Sequence, residues 1–242
     1  MEIPPSISIT IPIYNEETVL NNTALKLLAD LESSGLTFEV ILAENGSTDL
    51  TLKVAEKLAR DHRQVRVIHL SSPNYGQAMQ QGFLASDAEF LTNFSIDFWD
   101  MEFLRDALAK IDRFDMILGS KYISRGYDRR PLTRRIGGLL LSRFVRLVFG
   151  LPISDTHGLL VLRGDRVRSL IGRCRFGHEI FDTELIVRSY QAGCRVCEMP
   201  VCVQEQRSSR AGTIKRALRM LVELTKLRLV LWQEGIHPAA NA

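Results

Sequence analysis

The stretch SISITIPIYNEE, residues 6–17, alternates β-branched and small polar side chains up to Ile13 and then breaks into Tyr14, Asn15, Glu16 and Glu17. Period-two alternation predicts a strand from Ser6 to Ile13. The polar break opens an amphipathic run from Thr18 to Glu32, so the unit reads strand, loop, helix. The same unit recurs downstream. Phe38 to Ala43 is a second apolar strand that ends in Glu44-Asn45-Gly46-Ser47-Thr48-Asp49, followed by a helix through about Asp61. Val65 to Leu70 is a third strand, and Asn74-Tyr75-Gly76 leads into a helix over Gln77 to Ala85. Phe90 to Ile96 is a fourth strand running directly into Asp97-Phe98-Trp99-Asp100.

Regular strand and helix alternation predicts an α/β domain with a mostly parallel sheet and right-handed crossovers. Ligands of such sheets bind at the carboxyl ends of the strands. The clusters at Tyr14-Asn15-Glu16, Glu44-Asn45-Gly46 and Asp97 to Asp100 each follow a predicted strand, so they are expected to converge on one crevice. Met116 to Tyr122 reads as a fifth strand. Arg129-Arg130-Pro131 then breaks the chain, and Thr133 to Phe149 forms an amphipathic helix. Further strands are expected at Val161 to Leu162 and Gly193 to Val203, around a helix that includes Phe181 to Gln191.

At 242 residues the chain suits one α/β domain with a full core. Hydrophobic residues are 45% and charged residues 24%, which excludes a disordered chain and a polytopic membrane protein. A formal net charge of +3 gives no footprint for nucleic acid, and none is expected as a partner. The start of the chain lacks the basic flank and long apolar run of a signal peptide, so the expected location is the cytoplasm. Cys194 and Cys197 form a lone C-x-x-C within an alternating strand pattern and read as small core residues rather than metal or redox groups. No G-x-G-x-x-G follows the first strand and no G-x-x-x-x-G-K-[ST] occurs, which argues against a dinucleotide-binding dehydrogenase and a phosphate-binding loop.

Ile11-Pro12-Ile13-Tyr14-Asn15-Glu16-Glu17 resembles the opening motif of family-2 glycosyltransferases, and Ala43-Glu44-Asn45-Gly46-Ser47-Thr48-Asp49 is similar to their V-D-D-G-S-T-D. The resemblance continues through Asn74-Tyr75-Gly76, Ser95-Ile96-Asp97, Gly119-Ser120-Lys121-Tyr122, Asp155-Thr156-His157-Gly158 and Asp182-Thr183-Glu184. It covers about residues 6 to 210, and the dolichyl-phosphate mannose synthase type is the nearest in pattern. The resemblance implies a GT-A fold, a mostly parallel mixed sheet flanked by helices, over residues 1–212. Residues 213–242 would form an amphipathic C-terminal helix and tail.

The resemblance also implies roles. Pro12, Tyr14, Asn15, Glu16, Glu44, Gly46, Gln77, Ser95 and Ile96 would line the nucleotide-sugar donor, with Glu44 in the place of the family's base-contacting aspartate. A carboxylate there accepts a ring N–H of uracil or guanine. The family's Asp-x-Asp holds Mg²⁺ or Mn²⁺ against the donor diphosphate; here Ser95 replaces the first aspartate and Asp97 keeps the second, with Asp100 as a further metal carboxylate. Lys121, Arg134 or Arg135, and Arg207 would handle an acceptor phosphate. A saccharide hydroxyl acceptor would instead need a carboxylate base, for which Asp182 and Glu184 are the candidates. His157 is expected to have a structural hydrogen-bonding role.

The expected reaction is therefore transfer of a hexose from a UDP- or GDP-sugar to a polyprenyl phosphate with inversion. Transfer to a saccharide hydroxyl, or nucleotide-sugar binding without turnover, are the alternatives. Ile214 to Trp232 places Lys215, Arg216, Arg219, Glu223 and Lys226 on one side of a helix and Ile214, Ala217, Leu218, Leu221, Val222 and Leu229 opposite. Such a helix cannot span a membrane, but it can lie at an anionic surface such as the inner face of the cell membrane, or pack on the core.

Overall fold

The computed structural model describes residues 5–123, 132–177, 180–201 and 213–235, with backbone alone described at 132–134 and 213–218. Strands β1 (Ile7–Ile13), β2 (Phe38–Asn45), β3 (Val65–Leu70), β4 (Phe90–Asn93), β5 (Met116–Ser120), β6 (Leu160–Arg163) and β7 (Val196–Pro200) form one sheet in the order β3-β2-β1-β4-β6-β5-β7. Every pairing is parallel except those of β6, which runs antiparallel to both β4 and β5. The chain first builds β1 to β3 outward on one side, then returns across β1 to β4, so the switch in winding direction falls between β1 and β4. Loops that leave adjacent strands there diverge to opposite faces and open a crevice.

Helices α1 (Leu20–Ser33), α2 (Thr51–Asp61) and α4 (Met101–Leu108) cover one face of the sheet. Helices α3 (Tyr75–Leu84), α5 (Leu132–Phe149), α6 (Gly164–Ile171), α7 (Phe181–Gln191) and α8 (Thr213–Gln233) cover the other. Alternation in β1 sends Ile7, Ile9, Ile11 and Ile13 into the first core, against Leu20, Leu27 and Leu31 of α1. In β5, Ile117 enters that core while Met116 and Leu118 enter the second, with Val145 and Phe149 of α5 and Leu185 of α7. Period-two strands buried on both faces are what a two-sided helical cover requires.

Several boundaries differ from the sequence expectation. The fourth strand stops at Asn93 instead of Ile96, because Ser95 and Phe98 exchange backbone hydrogen bonds of 2.9 and 3.1 Å that turn the chain back on itself. The second strand runs on to Asn45, which puts Glu44 and Asn45 inside the sheet. Helix α4 was not expected; Asp100 starts it by accepting the Phe103 N–H at 2.8 Å. Helix α6 was likewise unforeseen, its eight residues being too short for a clear apolar period. Helix α8 buries Met220, Leu224, Leu227 and Leu231 in the second core, and Leu221, Val222 and Leu229 of the expected apolar side are exposed. Its end is tied to α7 by Arg188 and Glu234, whose charged atoms lie 2.8 Å apart.

Candidate active site

Strand direction carries the polar clusters to a single sheet edge. The segments after β1, β2, β3, β4 and β5 all leave from carboxyl ends, and antiparallel β6 brings in the loop before it, Asp155 to Gly158, at that same edge. The expected convergence of Tyr14-Asn15-Glu16, Glu44-Asn45-Gly46 and Asp97 to Asp100 follows from this topology.

The loops after β1 and β2 are stitched to each other. The Asn15 N–H donates to Ser47 Oγ at 3.0 Å, and Asn15 Oδ1 accepts from the Thr48 N–H at 2.9 Å. Asn15 pays for this arrangement with a left-handed backbone, φ 54°, which asparagine tolerates better than most residues. The Glu16 N–H donates to Thr51 Oγ1 at 2.7 Å, and Glu17 Oε2 accepts from the Leu50 N–H at 2.8 Å. Tyr14 stands beside this double loop with 44% of its surface exposed, while Pro12 is half-buried within β1 opposite Ala43. The first wall of the crevice is thus held together by hydrogen bonds between its two loops.

Glu44 departs from its expected position. It has no exposed surface; Oε1 accepts from the Ser47 N–H at 2.6 Å, and Oε2 lies 2.5 Å from His69 Nδ1. Burial by itself would raise the carboxyl pKa, but the Ser47 and His69 hydrogen bonds outweigh it and hold the group below its ordinary value. The carboxylate is committed inward, so a direct contact between Glu44 and a nucleobase does not fit this structure. Gly46 follows at φ 68°, where a Cβ would meet the backbone carbon of Ser72 at 2.7 Å, so the loops after β2 and β3 press together. Asn45 Oδ1 accepts from the Asn74 N–H at 2.6 Å, and Asn74 caps α3 by accepting from the Gln77 N–H at 3.1 Å. Gln77 itself is exposed on the first turn of α3.

On the other side of the switch point, Ser95 is exposed and its Oγ accepts from the Asp97 N–H at 3.3 Å. Asp97 is half-buried, whereas the Ile96 side chain is buried in the first core and leaves only its backbone to face a ligand. Asp100 Oδ1 is engaged as the α4 cap, and the Trp99 indole donates to Asp30 Oδ2 at 2.9 Å. Among the described residues no three His, Cys, Asp or Glu side chains are grouped to hold a metal on their own. The oxygen groups at this turn that could hold a metal are the Asp97 carboxylate and the Ser95 hydroxyl. That set suits Mg²⁺ or Mn²⁺, which take hard oxygens and are commonly held by one or two carboxylates plus substrate phosphates.

The third wall is built around Lys121 and Asp155, both buried, with Nζ 2.5 Å from Oδ2. Asp155 Oδ1 accepts from the His157 N–H at 3.1 Å, and Glu198 on β7 accepts from the Ser154 and Asp155 N–H groups at 2.8 and 3.0 Å. His157 Nδ1 lies 3.0 Å from Thr156 Oγ1, which accepts from the Thr183 hydroxyl at 3.0 Å. Asn93 closes the loop: its Oδ1 accepts from the Leu160 N–H at 2.6 Å and its amide donates to the Gly158 carbonyl at 3.3 Å. A Cβ on Gly158 would run into the carbonyl oxygen of Gly119. Asn93, His69 and Glu198 were not foreseen, because their partners lie 25 to 67 residues away in sequence.

The remaining expected residues divide. Asp182 is buried; Oδ2 accepts from the Tyr75 hydroxyl at 3.0 Å, Oδ1 has no hydrogen-bond partner among the described residues, and burial pushes its pKa up to about 7 despite the Tyr75 bond. Glu184 is fully buried, with Oε2 accepting from the Arg175 and Phe176 N–H groups and Oε1 from Arg188 at 2.8 Å. The structure therefore does not present Glu184 as a base at the crevice. Arg135 is half-buried on the first turns of α5. The Arg134 side chain, Arg207 and the break at Arg129-Arg130-Pro131 lie outside the described residues.

Among curated proteins the chain is 27% identical to glycosyltransferase AglD of Haloferax volcanii over 96% of its own length, but it spans only 38% of that protein. It is 26% identical to a dolichyl-phosphate hexose transferase of the same organism, covering 86% of each chain. Among solved structures, glucosyl-3-phosphoglycerate synthase of Mycobacterium tuberculosis, in complex with Mn²⁺, UDP and phosphoglyceric acid, superposes with a TM-score of 0.66 at 15% identity, over 93% of this chain and 78% of that one. S. aureus TarS residues 1–349 in complex with UDP-GlcNAc superposes with a TM-score of 0.58 at 18% identity, over 92% and 66%. These likenesses share the fold expected from the sequence. The sequence model of glycosyl transferase family 2 matches residues 8–165, most of the sheet and all the loops described above except those of α7 and β7, and the chain belongs to that family.

Proposed function

We propose that the chain transfers a hexose from a UDP- or GDP-sugar to a polyprenyl phosphate, with inversion at the anomeric carbon. The observation that carries the choice of acceptor is the state of the two carboxylates expected to act as bases. Glu184 is locked to Arg188 and two backbone N–H groups, and Asp182 is buried under Tyr75. A saccharide hydroxyl needs a base within hydrogen-bond reach to become nucleophilic. A lipid phosphate oxygen is already anionic at neutral pH and needs none. The similarity to a dolichyl-phosphate hexose transferase over most of both chains supports the same reading.

The residues then divide the work. The stitched loops of Asn15, Glu16, Ser47 and Thr51 frame the nucleoside. Asp97 and Ser95 would hold a divalent cation, which when bound would supply neutralisation of the charge on the departing nucleoside diphosphate. Arg135, on the first turns of α5, would meet the acceptor phosphate; Arg134 and Arg207 are assigned the same role from sequence. Lys121, paired with Asp155, orients the loop before β6 in place of a direct phosphate contact. The exposed apolar residues of α5 and α8 would let the domain rest on the membrane that carries the acceptor.

The test is incubation of the chain with radiolabelled UDP-glucose, UDP-GlcNAc or GDP-mannose, Mn²⁺, and either a polyprenyl phosphate or a free saccharide. The expected result is label in the organic phase with one donor. Label only in a soluble saccharide would sink the lipid-phosphate assignment.

A further inference from the structure

Glu44 and His69 stand directly opposite each other in the parallel register of β2 and β3, at the carboxyl edge of the sheet. Glu44 has no exposed surface and spends both oxygens, one on the Ser47 N–H and one on His69 Nδ1. An ionised carboxylate only accepts hydrogen bonds, so the tautomer of the neutral imidazole that fits here carries its proton on Nδ1 and a lone pair on Nε2. Among the described residues, Glu44 is the hydrogen-bond partner of His69, and the histidine side chain is 47% exposed. Its ring is therefore fixed at one nitrogen and open at the other.

The surroundings are equally fixed. The Gly46 turn lies against the backbone of Ser72 and Pro73, and Asn45 accepts from the Asn74 N–H. These contacts lock the loops after β2 and β3 on either side of His69. Ser47 joins the two places: its N–H donates to Glu44 and its hydroxyl accepts from the Asn15 N–H, so His69 borders the loops assigned to the nucleoside, where the buried Glu44 offers no exposed oxygen.

We propose that His69 is the specificity-determining residue of the donor site, its Nε2 accepting the ring N–H that uracil carries at N3 and guanine at N1, with Glu44 as the positioning residue that fixes the tautomer. Adenine presents a lone pair at the matching ring nitrogen, so two acceptors would face each other and that base is rejected. The inference rests on the nucleotide-sugar reading and deepens it.

The experiment is titration calorimetry of the full chain, in Mn²⁺, with UDP and GDP and with their ring-methylated forms, N3-methyl-UDP and N1-methyl-GDP. Wild type is expected to bind one unmodified diphosphate at least about tenfold tighter than its methylated form, the scale of one buried hydrogen bond. His69→Asn keeps a nitrogen near Glu44 but removes Nε2, which protects folding. This variant is expected to bind the unmodified diphosphate about tenfold more weakly and to lose the discrimination. His69→Gln, whose amide oxygen reaches the Nε2 position, is expected to restore part of it. Wild-type discrimination persisting in folded His69→Asn, or absent from wild type that binds the diphosphate, would overturn the role of His69 and leave the transferase reading standing. No binding of any nucleoside diphosphate by wild type would overturn both.

Discussion

Lys121 Nζ sits 2.5 Å from Asp155 Oδ2, with both side chains nearly removed from solvent. Asp155 in turn fixes the His157 backbone, and Glu198 holds the backbone of Ser154 and Asp155 from the neighbouring strand. Removing one member of such a pair strands a charge in the interior, whereas removing both costs little. Lys121→Met and Asp155→Asn are each expected to lower unfolding free energy by about 3–5 kcal/mol in urea titrations. Lys121→Met combined with Asp155→Leu should recover much of that loss. A Lys121→Met protein of wild-type stability that fails only in acceptor use would return Lys121 to the acceptor phosphate.

Asp97 and Asp100 are three positions apart but have different work. Asp100 caps α4, and replacing a capping aspartate by alanine costs about 1 kcal/mol. Asp100→Ala is expected to melt earlier while keeping Mn²⁺-dependent donor affinity. Asp97→Asn is expected to melt like wild type and to lose about tenfold or more of that affinity, roughly 1.4 kcal/mol. Calorimetry with and without Mn²⁺, beside thermal denaturation, separates the two. Equal affinity loss in both variants would bring Asp100 back into the metal site.

For Asp182 the pH dependence has a definite sign. Burial raises its folded pKa to about 7, against an ordinary value near 3.8. Below the lower value both states are protonated and the group has no effect. Between the two the unfolded chain ionises while the folded one keeps its proton, so stability falls as pH rises, and the loss is complete above about 7. Asp182→Asn mimics the protonated group and is expected to be the more stable protein at pH 8, on the order of a few kcal/mol, with the gap closing near pH 4. Urea titrations at both pH values check this; a wild type more stable than Asp182→Asn at pH 8 would show that the carboxylate has a partner when ionised.

The strands and the convergence of their polar breaks on one sheet edge were legible because Ile7 to Ile13 alternates cleanly and each of the first four strands is followed by a polar break. Periodicity is local, and these segments contain all of their own signal. The interior of the site was less legible. Nothing near Glu44 in sequence announces His69, and Asp100 as a metal ligand and Asp100 as a helix cap look alike until Met101 is seen to begin a helix. The two edges of α8 illustrate the same limit. A helical wheel ranks faces by hydrophobicity, but the tertiary cover chose the stripe Met220, Leu224, Leu227 and Leu231 and left Leu229 exposed.

That leftover apolar surface carries the last prediction. On α5, Leu140 and Leu147 are 60% and 84% exposed; on α8, which packs beside it, Leu229 and Trp232 are 56% and 60% exposed. Single exposed leucines are common on any surface, but these share two adjacent helices with the exposed basic residues Arg143, Arg146, Arg219 and Lys226. No helix among the described residues is long and apolar enough to cross a membrane. Apolar side chains interleaved with cations suit the interface of an anionic bilayer, where the leucines enter the acyl boundary and the arginines meet phosphates. The chain is expected to co-sediment with vesicles containing phosphatidylglycerol, less with pure phosphatidylcholine, and less again at high salt. Leu140→Glu and Leu147→Glu should each weaken the binding about tenfold, since each removes the transfer energy of a leucine and adds a repelled charge. Stable dimers in solution that dissociate in these same variants, with no vesicle binding by wild type, would assign the surface to a second copy of the chain.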